Sequence, residues 1–368
     1  MSDFILKELI TNDIESELKN IGFDEGYRFV ASNKYKYKNF KIFGLTLAQA
    51  NILKQTALIY GADCATHRET ITGNIEKTDV ILGGSFSQLE KISNHLRKQP
   101  FSLGKLGEKI VSQLKPIKNK TKLVGILNVT PDSFSDGGKY NNELEAQKHL
   151  INMINDGADM IDIGAESTRP NFVTVEPNEQ IERLKPILNF IKKKNITIPI
   201  SVDTRSSIVA EYVLDNGVNI INDVHGFDFD KKIVDVIAKY SASVIVQHSK
   251  DVPKYDDMMD EIFFKLKEKC EYAESKGIKN IIIDPGIGFG KTKEGNFEIL
   301  DRFKELSALG HPIMLGVSRK SLLGLTNSND NELKDALTVA ISYPLMQQGV
   351  DYLRVHNVKL HKKLLEMI

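Results

Sequence analysis

From Leu123 to the C-terminus, short apolar runs rich in Ile and Val alternate with longer amphipathic segments. Each run ends in polar or small residues, and a stretch with helical spacing of its apolar positions follows. A short run that is apolar throughout is typical of a strand buried on both faces, as parallel sheets require. The eight predicted strands are Leu123–Val129, Met160–Ala165, Pro199–Asp203, Ile220–Val224, Ser243–His248, Asn280–Gly286, Ile313–Ser318 and Tyr352–His356.

A helical segment follows each predicted strand. These segments are Glu143–Asn155, Asn178–Lys194, Ser206–Asn216, Lys231–Tyr240, Ile262–Lys276, Phe297–Leu309, Glu332–Gln348 and Val358–Met367. Eight strands alternating with eight helices over about 250 residues predict an α/β fold, the TIM (β/α)₈ barrel. The alternative, an open doubly wound sheet, is disfavoured because no G-x-G-x-x-G motif follows the first strand.

The first 118 residues follow a different pattern and predict a small α+β domain before the barrel. The predicted helices are Phe4–Asn20, Thr46–Tyr60, Phe86–Lys98 and Leu103–Leu114, and the predicted strands lie near Arg28–Ala31, Phe40–Phe43 and Thr78–Leu82. The polar, basic stretch Lys115–Lys122 is typical of a linker. We therefore expect an accessory domain over residues 1–118, of unassigned role, and a barrel over residues 119–368.

Composition narrows the range of partners and compartments. Lys and Arg together number 49, as do Asp and Glu, so no excess of positive charge indicates nucleic-acid binding. No apolar run approaches the roughly 18 residues that span a bilayer, and the N-terminus lacks a signal-peptide pattern. The two cysteines, Cys64 and Cys270, lie far apart and have no CxxC spacing. These features favour a cytoplasmic protein with reduced thiols and no membrane or nucleic-acid partner.

Polar side chains end every predicted barrel strand, where TIM barrels carry their active sites. One group of these side chains suits a flat heterocycle with a donor edge. Asp203, Asn222 and Asp284 end three strands, and a carboxylate can accept two parallel N–H bonds from an amide and a neighbouring amine. Lys320 can donate to the carbonyl group of the same ring.

A second group of polar side chains suits an anion. Arg354 and His356 are separated by one residue, which we expect to place them on opposite faces of the strand. They can then serve one site only if Arg354 points into the barrel mouth while His356 lies in the turn beyond it. Asn128 offers an amide oxygen to a hard cation such as Mg²⁺, and Ser318 and Arg319 could add donors.

Two loops have distinctive sequences. The loop Asn128-Val-Thr-Pro-Asp-Ser-Phe-Ser-Asp-Gly-Gly138 has the small and polar residues of a mobile lid. The loop Asp284-Pro-Gly-Ile-Gly-Phe-Gly-Lys291 lacks the spacing of a phosphate-binding P-loop. We therefore expect its glycines to allow a sharp backbone turn beneath a ligand instead of binding phosphate.

Taken in order, these motifs resemble those of dihydropteroate synthase, the folate-pathway enzyme that sulfonamides inhibit. The resemblance covers residues 122–368 and includes Asn128–Gly138, Gly164–Pro170, Ser201–Thr204, Ile221–Asp223, Asp284–Lys291, Ser318–Ser321 and Arg354–His356. It implies that a pterin pyrophosphate ionises at its methylene–oxygen bond and that 4-aminobenzoate captures the cation. It also implies Mg²⁺ as the cofactor and a homodimer. The first 118 residues resemble an extension of some longer bacterial forms.

The resemblance assigns roles to individual residues. The pterin would be held by Asp203, Asn222, Asp284 and Lys320, with Arg354 stacked over it. The pyrophosphate and Mg²⁺ would be held by Asn128, Arg354 and His356, and Thr168 would lie where pterin and leaving group meet. The aminobenzoate pocket would be shaped by Asp132, Phe134, Arg169, Pro170, Phe289 and Ser318. Asp132 could also reach the metal, and we expect Asp132, Phe134, Thr168, Arg169 and Lys320 to be catalytic.

The chain departs from the family pattern after the fifth barrel strand. Gln247 occupies the position of a usual Met, and the following loop is shortened, so Gln247 could bond the pterin edge. Two other functions remain open. A methyltetrahydrofolate methyltransferase shares the pterin grip but has no use for the groups around Arg354 and His356. A degenerate barrel would bind pterin or act as a scaffold without catalysis.

Overall fold

A computed structural model describes residues 4–11, 13–115, 120–130, 139–166, 174–324 and 330–368, with the backbone alone at 139–142 and 321. The chain divides into two compact units, Met1–Pro116 and Ile117–Ile368. Each unit has its own cluster of buried apolar side chains. Within those described ranges, no helix is long and apolar enough to cross a membrane.

The first unit contains a three-stranded antiparallel sheet with helices. In chain order its elements are α1 (Ile14–Asn20), α2 (Arg28–Ser32), β1 (Tyr37–Thr46), α3 (Leu47–Ile59), β2 (Asp63–Thr66), β3 (Lys77–Ser85), α4 (Phe86–Leu96) and α5 (Leu103–Leu114). The strand order β1-β3-β2 places β3 in the centre. Thr46 and Ser85 begin α3 and α4 with capping boxes, each completed by a Gln three residues later. Leu53, Leu82 and Leu89 are fully buried between these helices and the sheet.

One predicted strand in this unit is wrong. The segment Arg28–Ala31 lies in helix α2, which follows a turn capped by Asp24, whose carboxylate accepts the backbone N–H of Tyr27 at 3.2 Å. The two buried residues of α2, Ala31 and Ser32, are adjacent. A strand with one buried face would instead bury alternate residues.

Two other elements of this unit differ from the prediction. The helix predicted over Phe4–Asn20 is shorter, because the side chain of Asp13 accepts the backbone N–H of Ser16 and begins α1 there. Strand β2 was not predicted at all. Only Cys64 of its four residues is buried, so its sequence carries no apolar alternation.

The second unit is a barrel of parallel strands. The strands are β4 (Lys122–Asn128), β5 (Met160–Gly164), β6 (Ile200–Asp203), β7 (Ile220–Asp223), β8 (Ser243–Gln247), β9 (Ile281–Asp284), β10 (Met314–Gly316) and β11 (Tyr352–Val355). The helices are α6 (Lys139–Asn155), α7 (Pro177–Lys193), α8 (Ser207–Asp215), α9 (Ile233–Lys239), α10 (Met258–Ser275), α11 (Lys293–Arg302), α12 (Asn331–Gln347) and α13 (Val358–Leu365).

The strands lie in the order β10-β11-β4-β5-β6-β7-β8-β9, and a parallel bridge between Ile283 and Ile313 joins the two ends of the sheet. Sequential order and joined edges are the properties of a TIM barrel, as predicted. They exclude the open doubly wound sheet, in which the strand order reverses and two edges stay free.

Alternate residues of each barrel strand face the interior of the barrel. The interior cluster consists of Val124, Met160, Ile220, Ile245, Ile282 and Met314, with Tyr352 packed against it. Their strand neighbours, such as Leu123 and Ile221, pack in the layer between strands and helices. Steps of two residues along the chain from this cluster lead to the carboxyl ends of the strands. The same alternation therefore directs the polar residues at those ends into one barrel mouth.

Candidate active site

Strands β6, β7 and β9 end in three buried polar side chains. Asp203, Asn222 and Asp284 are 7%, 2% and 3% exposed. The Nδ2 group of Asn222 donates to Asp162 at 3.1 Å, whereas its Oδ1 atom has no hydrogen-bond partner among the described residues. A buried acceptor without a partner costs about 1–3 kcal/mol. Its presence at the barrel mouth therefore indicates a place where a bound molecule donates a hydrogen bond.

The two carboxyl groups of this set are electrostatically strained. Burial and the nearby charge of Asp162 raise the pKa of Asp203, Arg354 opposes both effects, and the resulting pKa is about 7. Burial also raises the pKa of Asp284, which the charge of Lys320 counteracts. N–H donors from a ligand would stabilise the charged forms of both carboxylates.

Asp162, two residues before the end of β5, is a site residue that the sequence-based reasoning missed. It is fully buried, and its Oδ2 atom accepts hydrogen bonds from Arg354 Nε at 2.6 Å and from Asn222 Nδ2. Its Oδ1 atom accepts a hydrogen bond from Ser201 Oγ at 2.6 Å. The available signal was a lone charged residue within the apolar run Met160–Ala165, where burial of a carboxylate requires partners.

The expectation that Arg354 and His356 lie on opposite faces of their strand is wrong. Residues two apart on a strand share a face, and the intervening Val355 packs in the outer core. The Arg354 side chain enters the mouth, where its Nη2 group lies 3.3 Å from Asp203. His356 follows the last residue of β11, and its Nδ1 atom is 2.9 Å from Ser318 Oγ. Arg354 therefore points into the barrel mouth and His356 lies beyond the strand end, as predicted, but the two positions share a face along the strand direction.

Lys320 belongs to the loop that follows β10, and its side chain contacts the loop that follows β9. Its ammonium group donates to the carbonyl oxygen of Ile287 at 2.5 Å and lies 4.8 Å from the centre of the Phe289 ring. Burial lowers the pKa of Lys320 to about 8, although the charge of Asp284 opposes this shift. The structure thus brings Lys320 and Phe289 together. Both lie in loops at the barrel mouth, where the charges of Asp284 and Asp203 act on Lys320.

The loops that follow β8 and β9 pack directly on each other. A Cβ atom on Gly286 would lie 1.9 Å from the carbonyl oxygen of His248, and one on Gly290 would lie 1.7 Å from that of Lys250. Only glycine permits this approach, and both residues have positive φ angles. Gln247 is 4% exposed, and its Nε2 group donates to the carbonyl oxygen of Val224 at 3.1 Å. Its amide nitrogen is thus engaged within the barrel wall.

Asn128 ends β4 beside the strand end of β5. Its Oδ1 atom lies 3.1 Å from the position a Cβ atom of Gly164 would occupy, so the glycine leaves room for the amide. Within the described part of the chain, no group of three or more His, Cys, Asp or Glu side chains could hold a metal ion. A single oxygen donor still fits Mg²⁺, which commonly uses one or two protein oxygens together with water and substrate phosphates.

Five of the predicted site residues lie outside the described residues: Asp132, Phe134, Thr168, Arg169 and Pro170. The residues that flank the second of these segments are described. Glu166 is buried, and its Oε1 atom accepts the backbone N–H of Val175 at 2.8 Å. The same oxygen lies 3.4 Å from Nη2 of Arg205, whose guanidinium lies 4.1 Å from the centre of the Phe229 ring. These contacts tie Glu166 and Val175 to each other and to Arg205, which follows β6.

The family of pterin binding enzymes matches residues 124–356 of this chain. The dihydropteroate synthase of Clostridium beijerinckii is 45% identical over 253 residues, which cover 68% of this chain and 94% of that protein. A bifunctional dihydropteroate synthase/dihydropteroate reductase of Helicobacter pylori is 31% identical and aligns over 99% of this chain and 98% of its own length.

Among solved structures, a dihydropteroate synthase from Clostridium difficile, determined in the presence of pteroic acid, is 42% identical. The match has a TM-score of 0.65 and covers 69% of this chain and 97% of that one. These similarities span the barrel strands whose carboxyl ends form the site.

Proposed function

Because the chain belongs to the dihydropteroate synthase family of pterin binding enzymes, we propose that it condenses 6-hydroxymethyl-7,8-dihydropterin pyrophosphate with 4-aminobenzoate. The products are 7,8-dihydropteroate and pyrophosphate, so the protein is a transferase of folate biosynthesis. The observation that carries this proposal is the Oδ1 atom of Asn222, which lies between two buried carboxyl groups and has no hydrogen-bond partner in the part of the chain that the structure describes. The donor edge of a pterin ring supplies the N–H groups that these acceptors lack.

The pterin subsite is formed by Asp203, Asn222 and Asp284, which accept hydrogen bonds, and by Lys320, which donates to the ring carbonyl. Gln247 contributes its remaining amide oxygen to the same edge. Burial supports this assignment, because hydrogen bonds to charged groups contribute more in a site that excludes water. Lys320 beside Phe289 also closes one side of the subsite.

The pyrophosphate subsite is formed by Arg354, His356 and Ser318. A guanidinium group suits phosphate oxygens because its planar donors match their geometry. Mg²⁺, held by Asn128 and the pyrophosphate oxygens, would neutralise part of the charge that develops on the leaving group. The methyltetrahydrofolate methyltransferase alternative has no role for these cationic groups.

In the proposed reaction, the bond between the pterin methylene carbon and the pyrophosphate oxygen breaks, and its electron pair leaves with pyrophosphate. The amine nitrogen of 4-aminobenzoate then bonds to the methylene carbon and loses a proton to solvent. Arg354 and His356 stabilise the leaving group electrostatically. No strong general base is required, because the nucleophile is a neutral amine.

For the residues outside the described part of the chain, the proposal rests on the family resemblance alone. Asp132 and Phe134 cover the reacting centre, with Asp132 near the metal, and Thr168 lies between pterin and leaving group. Arg169 and Pro170 line the aminobenzoate pocket, to which the resemblance also assigns Phe289 and Ser318.

A turnover assay tests the proposed function. Purified protein is mixed with the pterin pyrophosphate, 4-aminobenzoate and Mg²⁺, and pyrophosphate release is followed together with dihydropteroate formation. We expect both products in equal amounts, and neither when 4-aminobenzoate is omitted. If the protein is folded and binds pteroic acid but releases no pyrophosphate in this assay, the scaffold alternative is favoured. Methyl transfer from methyltetrahydrofolate without pyrophosphate release would favour the methyltransferase.

A second activity, dihydropteroate reduction, is supported by the extent of one match. The Helicobacter pylori relative named for both activities aligns over 99% of this chain, whereas the Clostridium beijerinckii synthase aligns over 68%. Reduction adds a hydride and a proton to a carbon–nitrogen double bond, and a reduced nicotinamide or flavin would supply the hydride. We expect dihydropteroate-dependent oxidation of NADH or NADPH, with or without added flavin. No such oxidation by protein with synthase activity would reject this second activity.

We also propose that the chain forms a homodimer through its last barrel helices. Exposed apolar side chains on α12 and α13 support this, with Leu333, Tyr343 and Leu360 each more than 40% exposed. Light scattering should give about twice the chain mass of 41.3 kDa. Replacing Leu360 with Glu should shift the particle to the monomer mass.

A further inference from the structure

The carboxylate of Asp162 receives side-chain hydrogen bonds from three other strands of the barrel. Ser201 on β6 donates to its Oδ1 atom, and both Asn222 on β7 and Arg354 on β11 donate to its Oδ2 atom. The Asp162 side chain is completely buried. Two of its donors are groups that the proposed function uses: Asn222 binds the pterin, and Arg354 binds the pyrophosphate.

The Asp162 carboxylate fixes the orientation of the Asn222 amide. An ionised carboxylate can only accept hydrogen bonds, so the NH₂ group of Asn222 must face Asp162. The Oδ1 atom then faces away from Asp162, and none of the described residues bonds to it. If the amide turned by half a rotation, it would present N–H donors instead. Two sets of donors would then face each other when the donor edge of a pterin binds.

The Asp162 carboxylate also holds the guanidinium group of Arg354. Its Nε atom bonds to Asp162 at 2.6 Å, and its Nη2 atom lies 3.3 Å from Asp203. A planar guanidinium that is held at Nε and at one Nη has a fixed plane. The contact with Asp162 is the shorter of the two, and Asp203 is also required by the pterin. Asp162 is thus the carboxylate that can hold Arg354 throughout the reaction.

We propose that Asp162 is a positioning residue that sets the donor and acceptor polarity of the site. It keeps the Asn222 carbonyl oxygen turned towards the pterin and holds the Arg354 guanidinium ready for the pyrophosphate, without itself touching either substrate. This inference rests on the proposed function. It predicts that loss of the Asp162 charge weakens both subsites at once.

The test compares the wild type with Asp162→Asn and with the matched control Ser201→Ala, which removes a different hydrogen bond to the same carboxylate. Calorimetry measures binding of pteroic acid and, separately, of inorganic pyrophosphate with Mg²⁺. We expect Asp162→Asn to weaken both by about tenfold or more and Ser201→Ala by less than about threefold. In turnover, Asp162→Asn should raise KM for the pterin substrate and lower kcat, with little change in KM for 4-aminobenzoate.

A double variant separates orientation from simple packing. In Asp162→Asn, the new side chain can present either its carbonyl oxygen or its NH₂ group to Asn222, because the Ser201 hydroxyl pairs with either one, so the orientation of the Asn222 amide is no longer fixed. Adding Asn222→Asp restores a donor–acceptor pair and presents a carboxylate oxygen to the pterin. We expect the double variant to regain pteroic acid affinity relative to Asp162→Asn, but not pyrophosphate affinity. Losses that simply add in the double variant would overturn the inference. Asp162→Ser gives the same comparison with the wild type if Asp162→Asn does not fold.

The outcomes distinguish the two levels of the proposal. A wild type that releases no pyrophosphate contradicts the proposed function itself. An active wild type whose affinities survive Asp162→Asn, or fall equally in Ser201→Ala, contradicts only the role of Asp162. A fall in thermal stability with unchanged affinities would likewise assign Asp162 a purely structural role.

Discussion

The ammonium nitrogen of Lys291 lies 3.0 Å from the Nδ1 atom of His248, and it also donates to the carbonyl oxygens of His248 and Phe289. Burial lowers the pKa of His248 to about 3, and the charge of Lys291 adds to this shift. Burial lowers the pKa of Lys291 to about 7, opposed by Asp284. The imidazole is therefore neutral near neutral pH, and whenever Lys291 is an ammonium ion it donates to Nδ1, which leaves the ring proton on Nε2.

This pair predicts a pH dependence of stability. The folded state disfavours protonated His248, so its contribution is fully present above about pH 6.5 and is lost as the pH falls towards 3. Lys291 does not contribute to the pH dependence in this range. Its protonation differs between the folded and unfolded states only between about pH 7 and pH 10.5. Urea unfolding should show that His248→Gln removes about 1 kcal/mol of the stability loss between about pH 6.5 and pH 5. An unchanged pH slope in this variant would contradict the assignment.

The close packing of the loops after β8 and β9 predicts a large cost for a single methyl group. Gly290→Ala places a Cβ atom 1.7 Å from the Lys250 carbonyl oxygen and also strains a backbone with φ of +64°. We expect a loss of about 3 kcal/mol in the free energy of unfolding. The matched control is Gly310→Ala, with φ of +82° but open space around its Cβ position, for which about 1 kcal/mol is expected. Equal losses in urea unfolding would show that the contact is relieved.

The contact between Arg205 and Glu166 predicts a specific effect on aminobenzoate binding. Arg205→Lys keeps the charge but loses the planar group over Phe229, so Glu166, which comes directly before the predicted aminobenzoate residues, is held less firmly. We expect KM for 4-aminobenzoate to rise about fivefold, with a smaller change for the pterin substrate. Arg302→Lys, in a half-exposed surface ion pair, is the control and should leave both constants unchanged. Equal increases in the two KM values would contradict this prediction.

Lys320 predicts an alkaline limit on activity. Its pKa of about 8 means that the ammonium form, to which the proposed function assigns a hydrogen bond to the pterin, is lost as the pH rises through 8. The value of kcat/KM for the pterin substrate should therefore fall above about pH 8. In Lys320→Arg the group stays charged, so this limb should disappear even though the maximum rate is lower. A limb at the same pH in both enzymes would assign the titration to another group.

The barrel, and the position of most described polar residues at its mouth, could be predicted because their signals are local. Asn222 and Asp284 each follow an apolar run, and the direction of a parallel strand then decides which end of the barrel they occupy. Asp162 escaped because its partners come from β6, β7 and β11, and no local pattern reports such pairings. Helix α2 escaped for a related reason, since the Asp24 cap outweighs the strand propensity of Phe29 and Val30.

The contact between Gly290 and Lys250 also constrains how this enzyme could change by mutation. The loop after β8 fills the space above Gly290, so we expect that neither loop can be exchanged for that of a relative by itself. A longer loop after β8 would have to leave the Gly290 surface, and a larger residue at 290 would require such a loop. The two segments therefore form one heritable unit, and chimaeras that exchange them together should retain a fold that single exchanges lose.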